Sequence, residues 1–201
     1  MRVMPATTLR AQSGSLTRSI RSLAGRVWRD HRLFVVVLVP AILLRVDAEI
    51  GYRWQLWFND SFDYVQNTVK FQLDPTRVSG YTVFLKVLEP FRTYAIITIL
   101  QHLMGVAVAV MIYALARHRF GVRPWLATLA TVPVLYDGFE IQLEHLIMAD
   151  VPFLFVLTLA LTLLLWSPKP SLLRCLTVGF LLGLADVLRS VALPLLAIFA
   201  L

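Results

Sequence analysis

The chain has 201 residues, 58% of them hydrophobic, with a mean hydropathy of +0.72 and a formal charge of +7. A soluble domain of this length has no interior large enough for so much apolar surface, so the composition points to membrane helices and away from an ordinary soluble enzyme or binding module. Arginine and lysine gather at the ends of apolar runs, so the basic balance reads as membrane topology and not as a nucleic-acid footprint.

Residues 1–32 form a basic tail with Arg2, Arg10, Arg18, Arg21, Arg26, Arg29 and Arg32 against one acid, Asp30. Such a tail holds the N-terminus on the cytoplasmic side; a mitochondrial transit peptide has the same composition and is the rival. The first span covers about 33–50. Its last turn carries Arg45, Asp47 and Glu49, which either snorkel to the interface or belong to a site.

Residues 51–93 form an outer loop that opens with WFNDSFDY, bringing Asp60 and Asp63 to the membrane–water boundary among Trp57, Phe58, Phe62 and Tyr64. Further on, Tyr81, Phe84, Leu85 and Leu88 recur at helical spacing. That is the pattern of an amphipathic helix lying in the interface.

The second span, about 94–116, contains Gln101 and His102, either helix–helix glue or part of a site. It ends in a short basic loop, Arg117 to Arg123. Placing that loop inside agrees with the N-terminal tail. The third span, about 124–138, leads into a second acidic outer stretch with Asp137, Glu140, Glu144, His145 and Asp150. Helix from Gln142 through Asp150 would place His145 beside Met148. Spans four and five, about 151–166 and 172–186, flank a basic inner loop. A polar break with Asp186 and Arg189 precedes a sixth, incomplete span at 190–201. The single cysteine, Cys175, excludes an internal disulfide and a cysteine-ligated metal, and reads as a small buried hydrophobe. The fold class expected is all-α: a polytopic bundle with amphipathic outer helices, since bilayer spans are helices or closed barrels.

The Asp60–Asp63 pair has three readings: a general base acting on an acceptor hydroxyl, oxygen ligands for a hard divalent cation, or loop polarity alone. Arg77 and Arg189 suit a phosphate contact, or face lipid headgroups. Glu144 and His145 suit an acceptor or a metal, or form a polar helix end. No zinc-binding spacing, glycine-rich phosphate loop or Ser-His-Asp set is visible.

The ordered segments FNDSFDY, RVSGYTVFL, LEHLIMADVPFLF and GLADVLRSVALPLL resemble the N-terminal half of GT-C-type membrane glycosyltransferases. These are the dolichyl-phosphate-mannose protein mannosyltransferase-like and aminoarabinose-transferase-like enzymes, particularly their actinobacterial relatives. The resemblance runs from about residue 30 to the end of the chain. It implies an inverting transfer from a polyprenyl-phosphate-linked sugar to a hydroxyl on the outer face of the bacterial inner membrane. Asp60 falls on the catalytic base, with Asp63 and Tyr64 completing its motif. Arg77, Gly80 and Tyr81 fall on the lining of the outer cavity, Glu144, His145 and Asp150 on the acidic turn, and Arg189 on the lipid-phosphate contact. Thr82 stands where relatives commonly have proline. No cofactor is required on this reading, although a divalent cation is compatible with it. The partners implied are the lipid-linked donor, membrane lipids and, because the chain stops in the sixth span, a second chain completing the bundle. The alternatives are an inactive half-enzyme, or a non-enzymatic membrane subunit or transporter fragment.

Overall fold

The computed structural model describes residues 6–52, 55–72 and 78–190, with side chains at residue 28 and from residue 30 onward within them. The described residues are almost all helical and contain no strand beyond one isolated bridge. In chain order the helices are α1 (Ala6–Gly51), α2 (Asn59–Lys70), α3 (Gly80–Leu88), α4 (Ala95–Ala114), α5 (Pro124–Leu129), α6 (Val132–Tyr136), α7 (Gly138–His145), α8 (Asp150–Leu165) and α9 (Leu172–Leu188).

The basic tail is helical and continuous with the first apolar stretch. The helix is interrupted only at His31, whose φ of −129° and ψ of 18° break the ladder between tail and span. Expected span three is two short helices. Thr131 and Pro133 at the start of α6 divide it from α5, because proline supplies no N–H to continue the ladder. The acidic stretch is helical only as far as His145. Asp137 starts α7 by accepting from Phe139 N at 3.0 Å, and Leu146 ends it in an extended conformation. Met148 is therefore not on a common helix face with His145, as continuous helix would have made it. Cys175 is exposed on α9, on the uncovered face with Leu172, Leu176 and Phe180, and not in an interior. The sixth span, beyond Ser190, lies outside the described residues.

Helix α4 is central: it packs on α8, which packs on α9, and on its other sides it meets α1, α6 and α7. Among the described residues one helix, Ala95–Arg119, is long and apolar enough to cross a membrane; its last turn widens to a π-helix at Leu115–Arg119. The apolar helix α8 is shorter, 16 residues or about 24 Å at 1.5 Å per residue.

The largest buried cluster sits at the end of the bundle where α2 and α3 close over α4, α8 and α9. It joins Tyr64, Tyr81, Leu85, Ile97, Ile147, Ala149, Val156, Ala185 and Leu188. Gly80 permits this closure. A β-carbon there would meet the Val187 carbonyl of α9, so any side chain would force α3 off the bundle. The chain entering α2 is tied to the turn before α8 by a short parallel bridge. Leu56 N donates to His145 O at 3.2 Å and Ile147 N to Leu56 O at 3.4 Å.

Candidate functional site at the polar end of the bundle

Against that apolar cluster lies a buried polar layer drawn from three regions of the chain. Arg45 of α1 is 3% exposed and is satisfied from several sides. Its Nη2 donates to Glu144 Oε1 at 2.7 Å and to Val134 O at 3.1 Å; its Nη1 donates to Leu135 O at 2.9 Å and Ala41 O at 3.2 Å. The Val134 and Leu135 carbonyls belong to the last turn of α6, where no later helical N–H is present to bond them, so the guanidinium caps that helix. Glu144 is 1% exposed, and its second oxygen lies 2.7 Å from His102 Nδ1. The carboxylate occupies the space beside Gly105, where a β-carbon would collide with it.

Gln101 closes the layer toward the bundle end. Its amide nitrogen donates to Glu144 O at 2.9 Å and to Leu146 O at 2.6 Å, while its oxygen accepts from the Tyr81 hydroxyl at 2.9 Å. Tyr81 is fully buried, and this burial, reinforced by neighbouring Tyr64, pushes its hydroxyl well above the usual tyrosine range. The two rings meet edge to face at 4.9 Å.

Glu49, one turn beyond Arg45, accepts from Thr98 Oγ at 2.9 Å and faces both histidines of the layer. Its Oε2 is 3.9 Å from His102 Nε2 and 3.6 Å from His145 Nδ1. His102 Nε2 and His145 Nδ1 are 3.3 Å apart, and His145 Nε2 is 2.9 Å from the Tyr52 carbonyl oxygen. Glu49, His102 and His145 thus converge in a way that could hold a metal ion. This set was not visible as a sequence spacing because its members come from α1, α4 and the end of α7. The signal that was available was the presence of Arg45, Glu49, Gln101 and His102 within or beside apolar spans. Arg45 does not snorkel to an interface, and Gln101 and His102 do not simply glue helix to helix. All three hold the turn around Glu144.

The sequence-predicted residues fall in two groups. Asp60 and Asp63 lie on the first turns of α2, half-buried, with Tyr64 buried beside them; the Leu56 bridge places this helix start next to the His145–Ile147 turn. Gly80 and Tyr81 do not line an open cavity: helix contact and the Gln101 hydrogen bond take them up. Glu144 and His145 are enclosed in the polar layer, away from any open surface. Asp150 opens α8 and forms an ion pair with Arg189 at the end of α9. The pair lines a hollow of about 280 Å³ together with Glu140. Burial, then the charges of Glu144 and Asp137, raise the Glu140 carboxyl, with Arg45 opposing them. Arg77 lies outside the described residues.

Fold and site together define a helical bundle with a buried His/Glu/Arg layer among its described residues. No family model, curated protein or solved structure matches the chain.

Proposed function

We propose that the chain is a GT-C-type glycosyltransferase module of the bacterial inner membrane. It would be multi-pass, with a cytoplasmic N-terminus, and would transfer a sugar from a polyprenyl phosphate to a hydroxyl on the outer face. The observation that carries this reading is the meeting of four segments far apart in sequence at one end of the bundle. Tyr64 of FNDSFDY packs on Tyr81 of GYTVFL. Ile147 and Ala149 of LEHLIMAD lie in the same cluster as Ala185 and Leu188 of GLADVLRS, and Asp150 pairs with Arg189.

In the proposed reaction a carboxylate oxygen of Asp60 takes the acceptor's hydroxyl proton. The freed oxygen bonds to the anomeric carbon from the face opposite the lipid phosphate. The bond from that carbon to the phosphate oxygen breaks, and the phosphate leaves with the electron pair, inverting the centre. It leaves as a stable anion and needs no proton; Arg189, exchanging Asp150 for phosphate, or Arg77 would stabilise its charge. The displacement needs no cofactor. An apolar groove of about 540 Å³ between α2, α3 and the start of α4, lined by Val65, Leu85, Leu88, Tyr94 and Ile97, suits the first prenyl units. The uncovered apolar faces of α4 and α9 suit lipid or a second chain completing the bundle.

The test is transfer of labelled sugar from polyprenyl-phosphate donors to membrane acceptors. Asp60→Asn should lower turnover about 10²–10⁴-fold. Unchanged turnover in that variant removes Asp60 as the base, and absence of transfer from any polyprenyl-phosphate donor removes the reading. The enclosure of Glu144, His145 and Tyr81 favours one second reading: a non-enzymatic subunit in which the polar layer only holds the helices. Saturable donor binding without transfer, weakened by Arg189→Ala, would distinguish an inactive half-enzyme from such a subunit.

A further inference from the structure

Each histidine of the polar layer has its far ring nitrogen engaged by an acceptor outside the pair. His145 Nε2 faces the Tyr52 carbonyl oxygen at 2.9 Å; a carbonyl only accepts, so this nitrogen carries hydrogen and Nδ1 keeps a lone pair. His102 Nδ1 faces Glu144 Oε2 at 2.7 Å, while the other oxygen of Glu144 accepts from Arg45 Nη2, so a neutral His102 ring that donates to this carboxylate presents Nε2 as its acceptor. With both rings neutral and their far nitrogens donating, two acceptors face each other across 3.3 Å. The third acceptor, Glu49 Oε2, stands 3.6 Å from one and 3.9 Å from the other. Three largely enclosed acceptors aimed at one point repel unless a positive charge lies among them.

A shared proton or a metal ion would supply that charge. A proton bridges two acceptors, whereas the separations of 3.3, 3.6 and 3.9 Å bring three acceptors around one point, which suits an ion held by all three. Ligands about 2.0–2.2 Å from a tetrahedral zinc ion stand about 3.3–3.6 Å from one another, against about 2.8–3.1 Å for adjacent ligands of an octahedral ion with such arms; two of the three separations fall in the tetrahedral range and the third, 3.9 Å, is longer.

We infer that Glu49, His102 and His145 bind a four-coordinate divalent cation of the zinc class, with the fourth position left for water or another oxygen donor. The donor set is right for it: two neutral imidazoles and one carboxylate. The outer contacts are right as well, since each imidazole has its far nitrogen held, one by Glu144 and one by the Tyr52 carbonyl, fixing ring and tautomer. Glu49 and His102 also line an apolar groove of about 320 Å³ between α1 and α4. The site ties α1 to α4 and to the turn after α7. It stands on this geometry and not on the glycosyltransferase reading.

The test uses the full chain in detergent micelles, stripped with a chelator and titrated with Co²⁺ and then Zn²⁺, with no sugar donor present. One Co²⁺ per chain, showing the intense visible absorption of a four-coordinate site and displaced by Zn²⁺, is expected. Glu49→Gln and His145→Gln should each weaken uptake at least ~10-fold, and Glu144→Gln, which loosens the His102 ring from behind, by about 10–100-fold. Stripping that unfolds the chain, reversed by Zn²⁺ but not by Mg²⁺, also supports the site. A stripped chain that keeps its helical circular dichroism and takes up neither ion overturns it. A weak six-coordinate cobalt spectrum, or uptake unaltered in both Glu49→Gln and His145→Gln, does so too. If the variants fail to fold, the stoichiometry and spectrum of the wild-type titration decide.

Discussion

Gly105 and Glu144 share one volume: the carboxylate that holds Arg45 on one side and His102 on the other fills the place a side chain at position 105 would take. A carboxylate end on a long side chain would ordinarily swing aside. Here both oxygens are held, at 2.7 Å each, so the polar layer cannot give way without losing an ion pair or a histidine contact. Gly105→Ala is therefore expected to destabilise the chain by about 1–3 kcal/mol, in the range of overpacked interiors. Gly183→Ala on α9 is the control. Nothing lies near its β-carbon, and replacing a helical glycine there should stabilise by about 0.5–1 kcal/mol. Thermal unfolding of the two variants in the same detergent checks both signs.

Tyr81 separates a structural role from a substrate contact. Its hydroxyl donates to Gln101, whose amide holds two carbonyls of the Glu144–Leu146 turn. Tyr81→Phe should leave a buried acceptor without its donor and cost about 1–3 kcal/mol. The KM for a polyprenyl-phosphate donor should stay at the wild-type value. A raised KM with unchanged unfolding temperature would instead put the hydroxyl against substrate.

Glu140 gives the polar end a pH dependence of definite sign. Its carboxyl is raised from the ordinary value of 4.5 by burial and by neighbouring carboxylates. The folded chain therefore holds this proton at pH values where the unfolded chain has lost it. Stability from this group is present below pH 4.5 and is lost as pH rises from there through the higher folded value. Glu140→Gln should flatten that decline and raise the unfolding temperature at neutral pH relative to the wild type. Unfolding followed from pH 4 to pH 8 checks it; a parallel curve for the variant would contradict the assignment.

The helices were legible in the sequence because apolar runs and their polar ends are local signals. α3, α4, α8 and α9 fall where the composition placed them, while α2 forms in the stretch read as loop. The third apolar stretch reads as one helix in sequence but divides in two at Thr131 and Pro133. The consequence of the proline depended on whether neighbouring carbonyls could find another donor, and they find Arg45, far away in sequence. The acidic turn was singled out, but its depth was not. Glu144 and His145 look like surface residues until Arg45 and His102 are placed opposite them. Only the tertiary fold could show that these four residues, together with Glu49, share one buried layer, since no two of the segments they come from are adjacent in the chain.

The Arg45–Glu144 pair spans 99 positions. While the chain is being made, the arginine of α1 emerges long before its acid and must enter the bundle, or wait outside it, with its charge unmatched. Helices α1 to α6 can associate early through their apolar faces, but the guanidinium meets its counter-charge only when α7 arrives and delivers Glu144. Contacts this distant form late and slowly. Assembly thus has a built-in checkpoint: a chain interrupted before α7 carries an uncompensated cation in its interior.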